Sequence, residues 1–180
     1  MRRYLTYILP LMIVVFFSSC SRTELEWETY TSVDGGFTVQ IPKNSKRVDK
    51  VEMTPFGKQT NHYIIWKPDG LQIYKIKLFQ VSYTTCSNIS DSFSFYGMLD
   101  RSINMRVKDF TDLEIDTHPI NFNGYPGRAF IYDVADNSTI AVVKQCIVNN
   151  KRYDLAVVLK RNYETNYEVH RFYNSFQVLR

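Results

Sequence analysis

Residues 138–160 read STIAVVKQCIV-NN-KRYDLAVVLK. In the first half Ile140, Val142, Cys146 and Val148 fall on one side, with Ala141, Val143 and Ile147 on the other. In the second half Tyr153, Leu155, Val157 and Leu159 alternate with Ala156 and Val158. Asn149-Asn150 supplies two residues that tolerate positive φ, as a tight two-residue hairpin turn requires. Strands that are apolar on both faces must be covered on both faces, so this hairpin predicts a sheet with a layer on either side.

Moving outward, strand signals recur. Glu114 to Phe122 and Arg128 to Val134 flank the turn Asn123-Gly124-Tyr125-Pro126-Gly127, and Leu71 to Thr85 is a long alternating run. His62 to Lys67 ends at Pro68-Asp69-Gly70, Lys46 to Met53 is short and charged, and Tyr30 to Ile41 folds back at Asp34-Gly35-Gly36. Two stretches carry helical spacing instead. Tyr96, Leu99, Ile103, Val107 and Phe110 form one stripe behind an N-cap at Ser90 or Asp91, and a second helix is expected from near Asn162, burying Val169, Phe172 and Tyr173. The expected fold class is therefore α+β, an antiparallel β-sheet flanked by helices on both faces, as one domain over residues 30–180.

A chain of 180 residues with 44% hydrophobic and 22% charged composition supports one globular domain with a core and argues against disorder. Formal charge is +4; subtracting Arg2 and Arg3 gives +4 − 2 = +2, no footprint for nucleic acid. That subtraction is made because Met1-Arg2-Arg3 is followed by an uncharged, mostly apolar run from Tyr4 to Phe17 and then by Ser18-Ser19-Cys20. This is the layout of a secretory signal, over residues 1–19, and the apolar run is too short to be read first as a spanning helix. Phe17-Ser18-Ser19-Cys20 resembles a bacterial lipobox, which implies diacylation of Cys20 and a two-chain membrane anchor. Ser21 after the cysteine then points to the outer membrane, facing the periplasm, with residues 20–29 as a tether.

Further motifs are Gly36-Phe37-Thr38-Val39-Gln40-Ile41-Pro42, Gly124-Tyr125-Pro126-Gly127-Arg128, Asn149 to Val157, and Phe172-Tyr173-Asn174-Ser175-Phe176. Together, from about residue 30 to 180, they resemble the PsbP-like α/β/α sandwich family, which includes small bacterial lipoproteins. The family's activities differ, so the resemblance implies a fold and, more often than catalysis, an accessory or binding role.

The residues themselves offer little chemistry. His62, His118 and His170 lie in different elements without metal-ligand spacing, and Glu164 and Glu168 read as a solvated face, so no metal and no cofactor is expected. Ser175 lacks a nucleophile motif, and Asp133 with Asp136 reads as turn chemistry. No catalytic residue is assigned. Cys86 and Cys146 form a candidate disulfide closing a loop of about 60 residues, or else stay separate as small hydrophobes. Tyr125, Arg128 and Tyr153 are the candidate binding-surface residues, a role weighed against plain turn and strand packing. The expected function is a lipid-anchored envelope protein acting by binding, as an accessory subunit with an unidentified envelope protein partner; the alternative is a small-ligand binder with a pocket between sheet and helix.

Overall fold

The computed structural model describes residues 25–54, 57–69, 75–86, 96–97, 99–100, 103–104, 115, 117–134 and 136–179. The signal segment, Cys20, the first part of the tether and most of the stretch from Ser90 to Phe110 lie outside the described residues. Strands β1 (Trp27–Ser32) and β2 (Phe37–Pro42) form the N-terminal hairpin. There follow β3 (Lys46–Thr54), β4 (Gly57–Trp66), β5 (Ile76–Thr85), β6 (Thr117–Phe122), β7 (Tyr125–Val134), β8 (Asp136–Val148) and β9 (Lys151–Lys160). Helix α1 (Tyr167–Asn174) and the short strand β10 (Gln177–Val178) close the chain.

Seven strands make one antiparallel sheet in the order β3-β4-β5-β9-β8-β7-β6, and three make a second in the order β1-β2-β10. The β8–β9 hairpin sits where its two-sided apolar pattern demands, in the interior of the large sheet. Asn149 and Asn150 take φ of 50° and 59° in its turn, the positive values that two-residue hairpins require. Asn123 (φ 52°) and Gly124 (φ 92°) do the same between β6 and β7.

The expectation of helices on both faces is overturned. The described residues are dominated by strands in two antiparallel sheets, and α1 is the one full helix among them. The near face of the large sheet is covered jointly by the small sheet and α1. Phe37, Val39 and Ile41 of β2 share one core with Ile64, Phe79, Val81, Tyr153, Leu155 and Val157 below, and with Val169, Phe172 and Phe176 from the helix end. The physical reason is simple: two-sided apolar strands demand cover, and a three-stranded sheet provides it as well as a helix does. On the far face, Ile103 packs with Phe130, Val143 and Ala156. Residues 96, 97, 99, 100, 103 and 104 have helical backbone, as their stripe predicts.

Boundaries also move: β4 begins at Gly57 rather than His62, and β7 at Tyr125, which the sequence puts in the turn. Strand β1 begins at Trp27, three residues inside the stretch read as tether, because Trp27 packs edge-on against Phe79 at 5.4 Å. Helix α1 begins at Tyr167 rather than near Asn162: Asn162 has φ of 66°, and Asn166 is the N-cap, its Oδ1 accepting from Glu168 N at 2.7 Å. Glu164 therefore precedes the helix and is not on its face with Glu168.

The near-face core is a chain of aromatic rings. Phe37 lies 5.7 Å from Tyr83, 5.9 Å from Tyr153 and 5.7 Å from Phe176, and Phe79 lies 5.0 Å from Phe172. Fully burying one Phe contributes about 1.5–3 kcal/mol, and tilted or edge-on pairs add roughly 0.5–1.5 kcal/mol each.

Candidate functional site

Strand register decides which side chains meet. On the far face one row crosses four strands: Ser82 of β5 faces Asp154 of β9, which faces Gln145 of β8, which faces Arg128 of β7. Asp154 is 1% exposed. Its carboxylate accepts from Gln145 Nε2 and, at 3.4 Å, from Ser82 Oγ, and Arg152 Nε lies 3.3 Å from it as an ion pair. A buried carboxylate is costly unless paired and hydrogen-bonded, and here it is both. Arg128 is engaged as well. Its guanidinium donates to both carboxylate oxygens of Asp100 (2.8 and 3.0 Å) and stacks on Tyr96 at 4.4 Å, clamping the helical residues onto the sheet.

A second row crosses the near face: Asp49 of β3, His62 of β4, Tyr83 of β5, Tyr153 of β9 and Cys146 of β8. Its outer end is open, because β3 is the edge strand. His62 Nδ1 is 2.8 Å from Asp49 Oδ1, and the His62 ring stacks on Tyr83 at 4.6 Å. Arg47 Nε donates to Asp49 at 3.3 Å, and its Nη1 reaches Asp34 of the hairpin turn at 3.4 Å. The hydrogen bond from His62, with Arg47 beside it, holds the Asp49 carboxyl below its ordinary range. Burial raises the phenol of neighbouring Tyr30. Inside this charged rim the Tyr83 side chain is buried (4% exposed), and its hydroxyl has no hydrogen-bond partner among the described residues. Buried polar groups are otherwise almost always paired. This edge is the candidate binding site: Arg47, Asp49 and His62 held in place by one another beside the buried Tyr83 ring.

The structure divides the residues singled out from sequence. Tyr153 is buried, and its hydroxyl donates to Gly35 O at 2.8 Å, latching the hairpin turn onto the large sheet. Burial pushes that phenol up to about 12. Tyr125 is half-buried against the same near-face core, whereas Arg128 points to the opposite face, so the three do not form one surface. Cys86 and Cys146 are both free thiols. Strand β9 lies between their strands, a lateral separation of about 10 Å, beyond the roughly 7 Å between Cα atoms that a disulfide spans. Burial raises both thiols, Cys146 to about 12. Ser175 is a brace: its Oγ accepts from Gln40 N at 2.8 Å and donates to Phe172 O at 2.9 Å. Among the described residues no group of three or more His, Cys, Asp or Glu is placed to hold a metal ion.

From sequence His62 reads only as a histidine without metal-ligand spacing, and nothing joins it to Asp49 or Tyr83, because the three lie on three strands. Only the register, Asp49↔His62↔Tyr83, brings them together. The available signal was period two: His62 keeps phase with Ile64 and Trp66, and Tyr83 with Phe79 and Val81, which puts both on the near face.

A large antiparallel sheet, covered on one face by a small sheet and a C-terminal helix, defines the structural class. The particular fold is PsbP-like. Over 90% of this chain and 98% of the other, it is similar to the solution structure of cyanobacterial PsbP (CyanoP) from Synechocystis sp. PCC 6803, with a TM-score of 0.56 at 12% identity. It is also similar to a crystal structure from Bacteroides thetaiotaomicron VPI-5482, with a TM-score of 0.50 at 8% identity, over 87% of this chain and 50% of that one. No protein-family model and no curated protein matches the sequence.

Proposed function

We propose that this chain is a lipid-anchored protein of the bacterial cell envelope, held at the outer membrane and facing the periplasm, that works by binding as an accessory or stabilising subunit of a membrane-associated complex. The basic start, apolar run and Ser18-Ser19-Cys20 support the anchor. The likeness to PsbP supports a scaffold for binding rather than catalysis. The observation that carries the reading is the sheet edge at β3, where Arg47, Asp49 and His62 form a charged rim beside buried Tyr83, whose hydroxyl has no hydrogen-bond partner among the described residues. Fixed charges on a rigid edge can recognise a partner's complementary groups and strand backbone.

The test is crosslinking of a tagged copy in its own envelope, followed by mass spectrometry, with Cys20→Ala and Arg47→Glu versions alongside. One partner near stoichiometric amount, lost in Cys20→Ala and weakened in Arg47→Glu, is the expected result. Recovery of abundant envelope proteins alone overturns the accessory role and leaves small-ligand binding as the reading to pursue.

A further inference from the structure

Strand β1 enters the domain at one end of both sheets. Trp27 packs on Phe79 near the start of β5, while Phe37, at the far end of the hairpin, packs on Tyr83 and Tyr153. Leu25, the first described residue, is already packed against the near-face core. From Cys20 to Leu25 there are five peptide steps, which span at most about 18 Å when fully extended.

Three lysines lie at this same end, and Lys46 is set back toward mid-sheet, level with Ala156 by strand register. Lys46 opens β3, Lys67 follows the last residue of β4, Lys75 precedes β5, and Lys160 ends β9; all four are exposed. Lys160 N donates to Lys75 O at 2.8 Å, which ties two of them together. Lys75 lies over the Tyr163 ring at 4.5 Å. Lys46, Lys67 and Lys160 have no carboxylate partner among the described residues. Two further cations at this end, Lys43 and Arg161, are spent on Glu26 and Asp133. Tyr167 is 73% exposed at the start of α1, one turn before Arg171, which stacks on Trp27 at 4.8 Å. The opposite end is about 30 Å away along β9, several Debye lengths in physiological salt. There Lys151 is turned inward to Asp34 O at 2.6 Å.

We propose that this tether-side end, through Lys67, Lys75, Lys160 and Tyr167, rests on an anionic phospholipid surface. The inference rests on the reading of Cys20 as the lipidated residue. An 18 Å leash places this end against the bilayer, uncommitted ammonium groups meet the negative headgroups, and an exposed tyrosine occupies the interfacial zone that aromatic side chains favour. Each lysine near such a surface contributes about a fivefold factor to association, enough to orient a domain that is already tethered.

The test is lysine footprinting. The full-length protein, purified from its own membranes, is placed in phosphatidylcholine vesicles with or without phosphatidylglycerol and treated with a water-soluble acylating reagent. On the anionic vesicles, acylation of Lys67 and Lys160 is expected to fall at least fivefold, to recover in 0.5 M salt, and to stay constant at Lys50 and Lys151. Equal reactivity on both vesicles overturns the inference, as does protection at Lys151 in place of the tether-side set. The mass of the N-terminal peptide separates the two claims. Acyl chains without a footprint leave the anchor standing and remove the surface. A footprint without acyl chains does the reverse, and neither signal removes both.

Discussion

The two faces of the seven-stranded sheet are both buried, by different means. The near face is closed by rings: Phe37, Phe79, Phe172 and Phe176 are each 0% exposed, Phe37 meeting Phe176 and Phe79 meeting Phe172. The far face has an apolar half under Ile103 and a polar half, where Asn61, Ser82, Thr84, Gln145 and Asp154 are all under 9% exposed. The comparison teaches that a sheet face can be buried through hydrogen bonds as completely as through packing, with a different vulnerability. Apolar contacts degrade in proportion to the atoms removed, whereas a polar network fails when one member leaves the others unpaired.

Substitutions on the two faces sharpen that contrast. Phe37→Ala removes the ring shared by Tyr83, Tyr153 and Phe176, and is expected to cost about 3–5 kcal/mol in a denaturant titration; a loss below about 1 kcal/mol would mean that the hairpin layer is not part of the cooperative core. Asp154→Ala leaves Gln145 without its acceptor and Arg152 without its ion-pair partner, with an expected cost of about 3 kcal/mol. Replacing Asp154, Gln145 and Ser82 together by apolar residues of similar size is expected to recover part of that loss. If the single and triple variants are equally unstable, the far face does not work as a network.

Alkaline titration probes the near face through Tyr153 and Cys146. The Tyr153 phenol and Cys146 thiol are both raised to about 12 in the folded chain by burial. Unfolded, they ionise near 10 and 8.5, so between those values and 12 the unfolded state binds fewer protons than the native one, and stability falls as pH rises. The Tyr153 contribution is about 2–3 kcal/mol, present below pH 10 and lost by about 12. Stability measured from pH 8 to 12 is expected to decline, and Tyr153→Phe is expected to flatten the curve; a flat wild-type curve would refute the burial of that hydroxyl. The same Tyr153→Phe change at pH 7 removes only the bond to Gly35 O, for about 1 kcal/mol. The smallest effect belongs to the exposed rim. Asp49→Asn is expected to shift stability by less than about 0.5 kcal/mol, so any loss of partner capture by that variant reports recognition rather than folding.

Much of the large sheet was legible in the sequence. Alternation on β8 and β9 and the Asn149-Asn150 turn set the central hairpin and its register, and Val169, Phe172 and Tyr173 marked the buried side of α1. The second sheet was not legible, because β10 pairs with β2 through Gln177↔Thr38 and Val178↔Phe37, partners at opposite ends of the chain. Hydrophobic pattern says that a face is covered and not by what. The candidate site was hidden for a related reason: the distance between Asp49, His62 and Tyr83 is set by lateral register, a quantity absent from local periodicity. Arg128 and Tyr153 were found as notable residues, and their partners Asp100 and Gly35 show them to be braces.

The pairing of β2 with β10, reinforced by Leu179 N donating to Gly36 O at 2.8 Å, has a kinetic consequence. A chain emerging N-terminus first can form the β1–β2 hairpin early, but an isolated hairpin is marginal in water. Its third strand and the ring of Phe176 arrive much later. The near-face layer therefore locks only when Val178 reaches Phe37, a pairing across about 140 residues, and long-range closure of that kind slows folding. Removing Phe176 to Val178 would strand the β1–β2 hairpin as well, and these two distant segments stand or fall as one unit.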